Sequence, residues 1–160
     1  MSGNVCVRPA VVEDCEAMYG LIVELAVYEK CPNAVVVGLE EMKSCGFGDR
    51  PVWQAYVAER TEEEEGQPPR RTVIGMALFY DRYSTWQGRQ LYLEDFVVSE
   101  SCRGQGVGKL LFERVIAHAK EHHYVAMMWQ ALEWNEPALN FYKKYNSIFD
   151  GEWVNCKISF

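Results

Sequence analysis

The densest group of chemically useful residues is Arg103-Gly-Gln-Gly-Val-Gly-Lys109, which follows the apolar run Leu91–Val98 and opens a helix-like run. Glycines carry no Cβ, so backbone N–H groups can approach a ligand closely. At a helix start those donors are unpaired and the helix dipole is positive. Together these features make a phosphate cradle built from Gly104, Gln105, Gly106, Val107, Gly108 and Lys109. Two nucleotide-binding patterns fail at identifiable residues. A P-loop places a glycine five residues ahead of the Gly-Lys pair and Ser or Thr after it; here Arg103 and Leu110 stand there. A dinucleotide fingerprint needs a third glycine three residues after the second, and Lys109 occupies that offset from Gly106. One strand ahead of the loop, Glu94 is a carboxylate that a ligand held by the loop would meet. Strict alternation sends its neighbour Asp95 to the opposite face. The plainer reading of Glu94 is a half-exposed strand carboxylate in a salt bridge.

The elements that would position these residues follow from periodicity. Val5–Arg8 predicts a short strand closed by Pro9, and the spacing of Cys15, Met18, Ile22 and Leu25 predicts a helix through Glu29. Leu39–Cys45 reads as a second helix ended by Gly46. Strands are expected at Trp53–Glu59 and Val73–Tyr80, joined by a solvated loop with the acidic run Glu62–Glu65, and again at Leu91–Val98. Leu111, Phe112, Val115, Ile116 and Ala119 mark the apolar face of the helix after the glycine loop. A strand at Tyr124–Ala131, a short helix at Pro137–Tyr145 and a last strand at Glu152–Phe160 complete the order. This pattern predicts an α/β fold with a central mixed β-sheet flanked by helices.

The 160 residues fit one domain, 1–160, with 49% hydrophobic residues to fill a core. Acidic residues outnumber basic ones 23 to 16, a net charge of −7. That balance argues against a nucleic-acid partner, which demands a basic surface, and is compatible with a cationic small molecule. No apolar run is long enough to cross a membrane, and the N-terminus lacks a secretory pattern. The six cysteines include no Cys-x-x-Cys pair and no His at zinc-ligand spacing, so they read as reduced thiols of a cytoplasmic protein. His118, His122 and His123 cluster at a helix C-terminus, where cations are favoured. No metal is expected.

Wider motifs sharpen the reading. Tyr-Leu-Glu-Asp-Phe at 92–96, Arg-Gly-Gln-Gly-Val-Gly at 103–108, Glu-Trp-Asn-Glu-Pro at 133–137 and Asn-Phe-Tyr-Lys-Lys at 140–144 resemble the diamine acetyltransferases of the GNAT superfamily. Arg-Pro-Ala at 8–10, Glu-Leu-Ala at 24–26, Gly-Phe-Gly at 46–48 and Tyr-Ser-Thr-Trp-x-Gly at 83–88 match as well, so the resemblance covers nearly the whole chain. It implies the GNAT fold, a homodimer, acetyl-CoA as acetyl donor, and a primary amine of a small polycation (spermidine, spermine, a diamine or thialysine) as acceptor. It implies that Phe96, Val97, Val98, the loop Arg103–Lys109, Asn135 and Tyr142 contact the coenzyme. Tyr28, Glu29 and Glu94 would line the amine site, Glu94 as general base and Tyr142 as general acid. Asn135 would bond the pantetheine arm or cap the helix begun by Pro137.

Two departures from the family pattern stand out. Where the family carries a glycine after the tyrosine-bearing helix, this chain has Tyr145-Asn146-Ser147, and Asn146 is expected to take the left-handed cap. The sequence also stops at Phe160, short of the family's usual extent. A peptide-amine acetyltransferase and a non-catalytic acetyl-CoA-binding module are the alternatives on the same scaffold.

Overall fold

A computed structural model describes residues 3–160. The chain forms two compact units, a larger one ending at Trp129 and a smaller one, Gln130–Phe160.

The larger unit contains a five-stranded sheet in the order β1-β2-β3-β4-β5, with β1 at Asn4–Pro9, β2 at Gln54–Glu62, β3 at Arg70–Ser84, β4 at Gly88–Val98 and β5 at Ala126–Trp129. The first four strands pair antiparallel and β5 runs parallel to β4, so the sheet is mixed as expected. Helix α1, Cys15–Tyr28, lays Cys15, Met18 and Leu21 on one face of the sheet against Val57, Met76, Leu78 and Val97. Helix α3, Val107–Glu121, covers the other face with Leu111, Phe112 and Val115, all essentially buried. These two apolar layers hold the sheet rigid between them, and burying them is the main stabilising contribution.

Helix α2 spans Leu39–Phe47 and therefore runs through Gly46 rather than ending there. The glycine has a packing role. A Cβ at position 46 would lie 2.2 Å from the Trp53 ring, so its absence lets the indole lie on the helix. β1 is tied to the start of α1 by Arg8, which donates to both Asp14 oxygens at 2.7 and 2.9 Å and to Glu59 at 2.6 Å. Burial pushes the Asp14 carboxyl up, but Arg8 and the Val11 N–H outweigh it and leave it below its ordinary value. None of the six cysteines forms a disulfide, and Cys15 and Cys102 are buried. Among the described residues no helix is long and apolar enough to cross a membrane.

In the smaller unit, helix α4 spans Glu136–Lys143, with Pro137 in its first turn and Asn135 at its N-cap. Asn146 takes φ +54°, the left-handed conformation anticipated for it. The strand expected at Glu152–Phe160 does not form; among the described residues this segment makes no ladder. Its pattern is strand-like, but a strand exists only through pairing. Among the described residues of this segment, Trp153, Val154, Ile158 and Phe160 are all more than three-quarters exposed.

Candidate active site

Glu94 sits at an irregularity in β4. The β3–β4 register pairs Phe79 with Leu93 and Leu78 with Asp95, so Glu94 is an extra residue with no opposite number on β3. Such a bulge re-aims side chains and breaks alternation. Before it, Leu93 shares the α3 face with Phe79. After it, Asp95 shares the α1 face with Leu78, and Val97 with Met76. Tyr80 and its partner Tyr92 lie on the α1 face too, and the Tyr80 hydroxyl donates to Glu94 Oε2 at 2.7 Å. Glu94 and Asp95 therefore lie on one face, correcting the expectation that strict alternation separates them. The bulge leaves a trace in the sequence: the α3-face apolar positions run Leu91, Leu93, Phe96, Val98, with one step of three among steps of two.

The electrostatics follow from this crowding. Burial pushes the Asp95 carboxyl up to about 6, and the charges of Glu94 and Glu29 add to it. Burial raises Glu29, at the C-cap of α1, as well. Tyr80 is held protonated, first by burial and then by its bond to Glu94. The Tyr80 and Tyr92 rings stack at 5.4 Å, giving the carboxylates an aromatic wall. Sequence reasoning missed Tyr80 because a tyrosine on an apolar strand reads as core.

The other edge of β4 leads to the loop. Pairing with β5 spans only Gln90–Leu93, so the stretch from Glu94 on runs past the end of the parallel ladder. The predicted coenzyme contacts there differ in what they offer. The Val97 side chain is buried in the core, and the Phe96 ring packs at 5.5 Å from Phe112, so backbone groups are the atoms suited to a ligand. Val98 O already accepts from Arg103 Nε at 3.1 Å.

Gly104 and Gly106 have φ of +73° and +82°, a backbone that side-chain-bearing residues rarely adopt, and open space lies where each Cβ would be. Gly106 is the N-cap of α3, and among the described residues no side chain caps that helix. Leu110 N is the first to bond within it, to Gly106 O at 3.1 Å. The donors of Val107, Gly108 and Lys109 thus precede the helical ladder at its positive end, beside a loop clear of side chains. This arrangement fits a pyrophosphate. Gln105 folds back to Ser101 O at 3.1 Å, Val107 buries its side chain, and Lys109 lies 3.9 Å from Glu113. Gly108 lies over Phe96 and Val98, where a methyl group would make ordinary contact.

Tyr28, on the last turn of α1, has the Arg103 guanidinium 4.7 Å from its ring centroid. The larger unit thus brings Tyr28, Glu29, Glu94 and Arg103 into one region and adds Tyr80 and Asp95. Asn135 and Tyr142 belong to the smaller unit. Asn135 Oδ1 accepts from Ala138 N at 3.3 Å, so the capping half of its expected role is met. Tyr142 O accepts from Ser147 Oγ at 2.8 Å. Of the three histidines, His118 is buried with Nδ1 3.0 Å from the Tyr56 hydroxyl, and it stacks on His122 at 4.0 Å.

Comparison with known proteins shows the family. Residues 22–146 match the model of the acetyltransferase (GNAT) family. The chain is 37% identical over 154 residues to thialysine N-epsilon-acetyltransferase of Bos taurus, covering 95% of this chain and 90% of that protein. It is 31% identical over 142 residues to human spermidine/spermine N(1)-acetyltransferase-like protein 1, covering 89% of this chain but only 20% of that longer protein. Among solved structures, an integron cassette protein from V. cholerae superposes with a TM-score of 0.72 at 22% identity, covering 100% of this chain and 94% of the other.

Proposed function

Because the chain belongs to the GNAT acetyltransferase family, we propose that it transfers an acetyl group from acetyl-CoA to a primary amine of a small polycation, of the spermidine, diamine or thialysine class. The observation that carries this reading is the β4 bulge, which puts Glu94 and Asp95 on one face a few residues ahead of the glycine loop, with Asp95 within electrostatic reach of Glu29. One named relative is a thialysine N-epsilon-acetyltransferase, and another is named for its likeness to a spermidine/spermine N(1)-acetyltransferase.

When bound, acetyl-CoA supplies a thioester carbonyl; the chain's own residues do the rest. Backbone donors of Gly104–Lys109 hold the pyrophosphate. A protonated amine has no lone pair to attack with, and alkyl amines titrate near ~10.4. Glu94 therefore takes a proton from the amine, through water, with Tyr80 fixing the carboxylate oxygen it bonds. Asp95 and Glu29 hold the remaining positive charge. Tyr142 is the proposed donor of the proton that the leaving sulfur requires, and Asn135 a further coenzyme contact. Tyr28 and Arg103 shape the boundary between the two ligands. A homodimer and a cytoplasmic setting, without metal or nucleic acid, complete the proposal.

The test is release of free thiol from acetyl-CoA with spermidine, a short diamine and thialysine compared side by side. Turnover with at least one supports the reading, and binding of acetyl-CoA without turnover on any amine overturns it. Tyr142→Phe keeps the ring and should lower kcat by ~10²–10⁴-fold, the usual worth of general acid catalysis. Wild-type turnover in that variant would return Tyr142 to a packing role.

A further inference from the structure

Arg103 opens the glycine loop, yet its side chain bonds back to the elements behind it. Nε donates to Val98 O at 3.1 Å, and the guanidinium lies over the Tyr28 ring. Nη2 is 3.9 Å from Glu24 Oε1, and the same oxygen accepts the Glu100 N–H at 2.6 Å. Glu24 and Tyr28 are four residues apart and so share one face of α1. Glu29, at the C-cap of that helix, follows Tyr28 directly. One helix face therefore grips the β4–α3 turn at two points, a backbone N–H and a guanidinium, and ends at the amine-site residues.

The turn has other supports as well: Cys102 is buried and its Sγ accepts from Arg60 Nη1 of β2 at 3.5 Å. Its 3-10 segment, Glu100–Cys102, is closed by Cys102 N to Ser99 O at 2.8 Å and Arg103 N to Glu100 O at 3.2 Å, and it is tied to the sheet by Ser99 N to Ile74 O at 2.9 Å. Those bonds fix its local shape. The contact with α1 adds a hold on Glu100 and Arg103, directly ahead of Gly104.

We propose that Glu24 is a positioning residue that couples the glycine loop to the end of α1 carrying Tyr28 and Glu29, so that binding at one site tightens binding at the other. This rests on the reading of the region as an acetyl-CoA and amine site. Its physical basis is ordering. A ligand on the loop steadies Arg103, and through it Tyr28, leaving less freedom for the second ligand to remove; linkage makes the effect reciprocal. Glu24 touches neither ligand in this scheme. It acts through Glu100 N–H and Arg103.

The experiment is calorimetric titration of coenzyme A and of spermidine, each with and without the other, so that no turnover intervenes. Wild-type protein should bind spermidine about fivefold more tightly or better when coenzyme A is saturating, the low end of usual coupling. Glu24→Ala should weaken coenzyme A roughly tenfold, the worth of a hydrogen bond to a charged group, and bring the coupling ratio close to one. Glu24→Gln keeps an acceptor for Glu100 N–H but removes the charge facing Arg103, so it should recover part of the affinity and at most half of the coupling. Thermal unfolding of each variant checks that it is folded; should the Ala variant not fold, the Gln variant decides. A folded variant with wild-type affinity and an unchanged ratio overturns the proposal, as does wild-type protein that binds both ligands with no mutual effect. Wild-type protein that binds no coenzyme A would instead overturn the functional reading beneath it.

Discussion

A hydroxyl 2.7 Å from a carboxylate oxygen constrains how Glu94 can act. Tyr80 fixes one oxygen, leaving the other to face an amine or a bridging water. Tyr80→Phe keeps the stack with Tyr92 and removes only the donor. We expect kcat to fall roughly tenfold, the worth of one charge-assisted hydrogen bond, with the acetyl-CoA KM unchanged. Steady-state kinetics that match wild type would show that Glu94 needs no such support. Asp95 carries a different signature. Its carboxyl lies at about 6 in the folded protein, against ~3.9 for an unfolded aspartate. The folded state thus holds the proton more strongly, and ionising Asp95 opposes folding. The penalty is absent below about pH 4, grows as pH rises to about 6, and stays constant above. Asp95→Asn should therefore be more stable than wild type by about 3 kcal/mol at neutral pH, with the gain vanishing near pH 3. Urea unfolding at the two pH values measures it. The same variant should bind spermidine more weakly, because the role proposed for Asp95 is to hold part of the amine's positive charge. Equal stability of the two proteins at neutral pH would remove the strain from this account.

At the scale of elements, the anchor of β1 to α1 is the clearest energetic feature. Arg8 neutralises Asp14 and Glu59, both mostly buried. Arg8→Met leaves two buried carboxylates facing each other, and breaking a buried pair from one side costs about 3 kcal/mol. The Asp14 part of that stability is present above the ordinary carboxylate range and lost as pH falls through the lower folded value. Denaturant titration should show a loss near 3 kcal/mol at neutral pH that shrinks on acidification; a loss under half a kcal/mol would make the network surface decoration. Elements defined by periodicity were legible from sequence: α1, α3 and the four antiparallel strands. Alternation was misleading in two places. At Glu94 one inserted residue reversed the facing of everything after it, so Asp95 was assigned to the wrong side. At Glu152–Phe160 the pattern of a strand was present without a partner to pair with. Gly46 misled differently: its absent side chain accommodates the Trp53 ring and does not end the helix. Each failure is a tertiary fact that local pattern does not encode.

For the molecule as a whole, charge is the property that bears on function. A net −7 over 160 residues sets up a field that attracts polycations, and Glu29, Glu94 and Asp95 add to it locally. Arg82, 5.9 Å from the Tyr92 ring centroid, is a cation close to that wall and moderates the field. The field acts before any specific contact, so it should appear in kcat/KM for the amine and not in kcat. Raising ionic strength from about 0.05 to about 0.5 M shortens the screening length about threefold. Because each amine charge interacts with the field separately, the loss should steepen from a diamine to spermidine to spermine. We expect kcat/KM for spermidine to fall about tenfold over that range, the lower end of electrostatic steering effects, while kcat at saturation stays within twofold. The discriminating measurement is the slope of log kcat/KM against log salt for the three amines at saturating acetyl-CoA. Slopes ordered by amine charge would assign recognition to the summed field. Equal slopes for all three would confine it to one ammonium beside Glu94, leaving the net charge of the chain with no part in choosing the substrate.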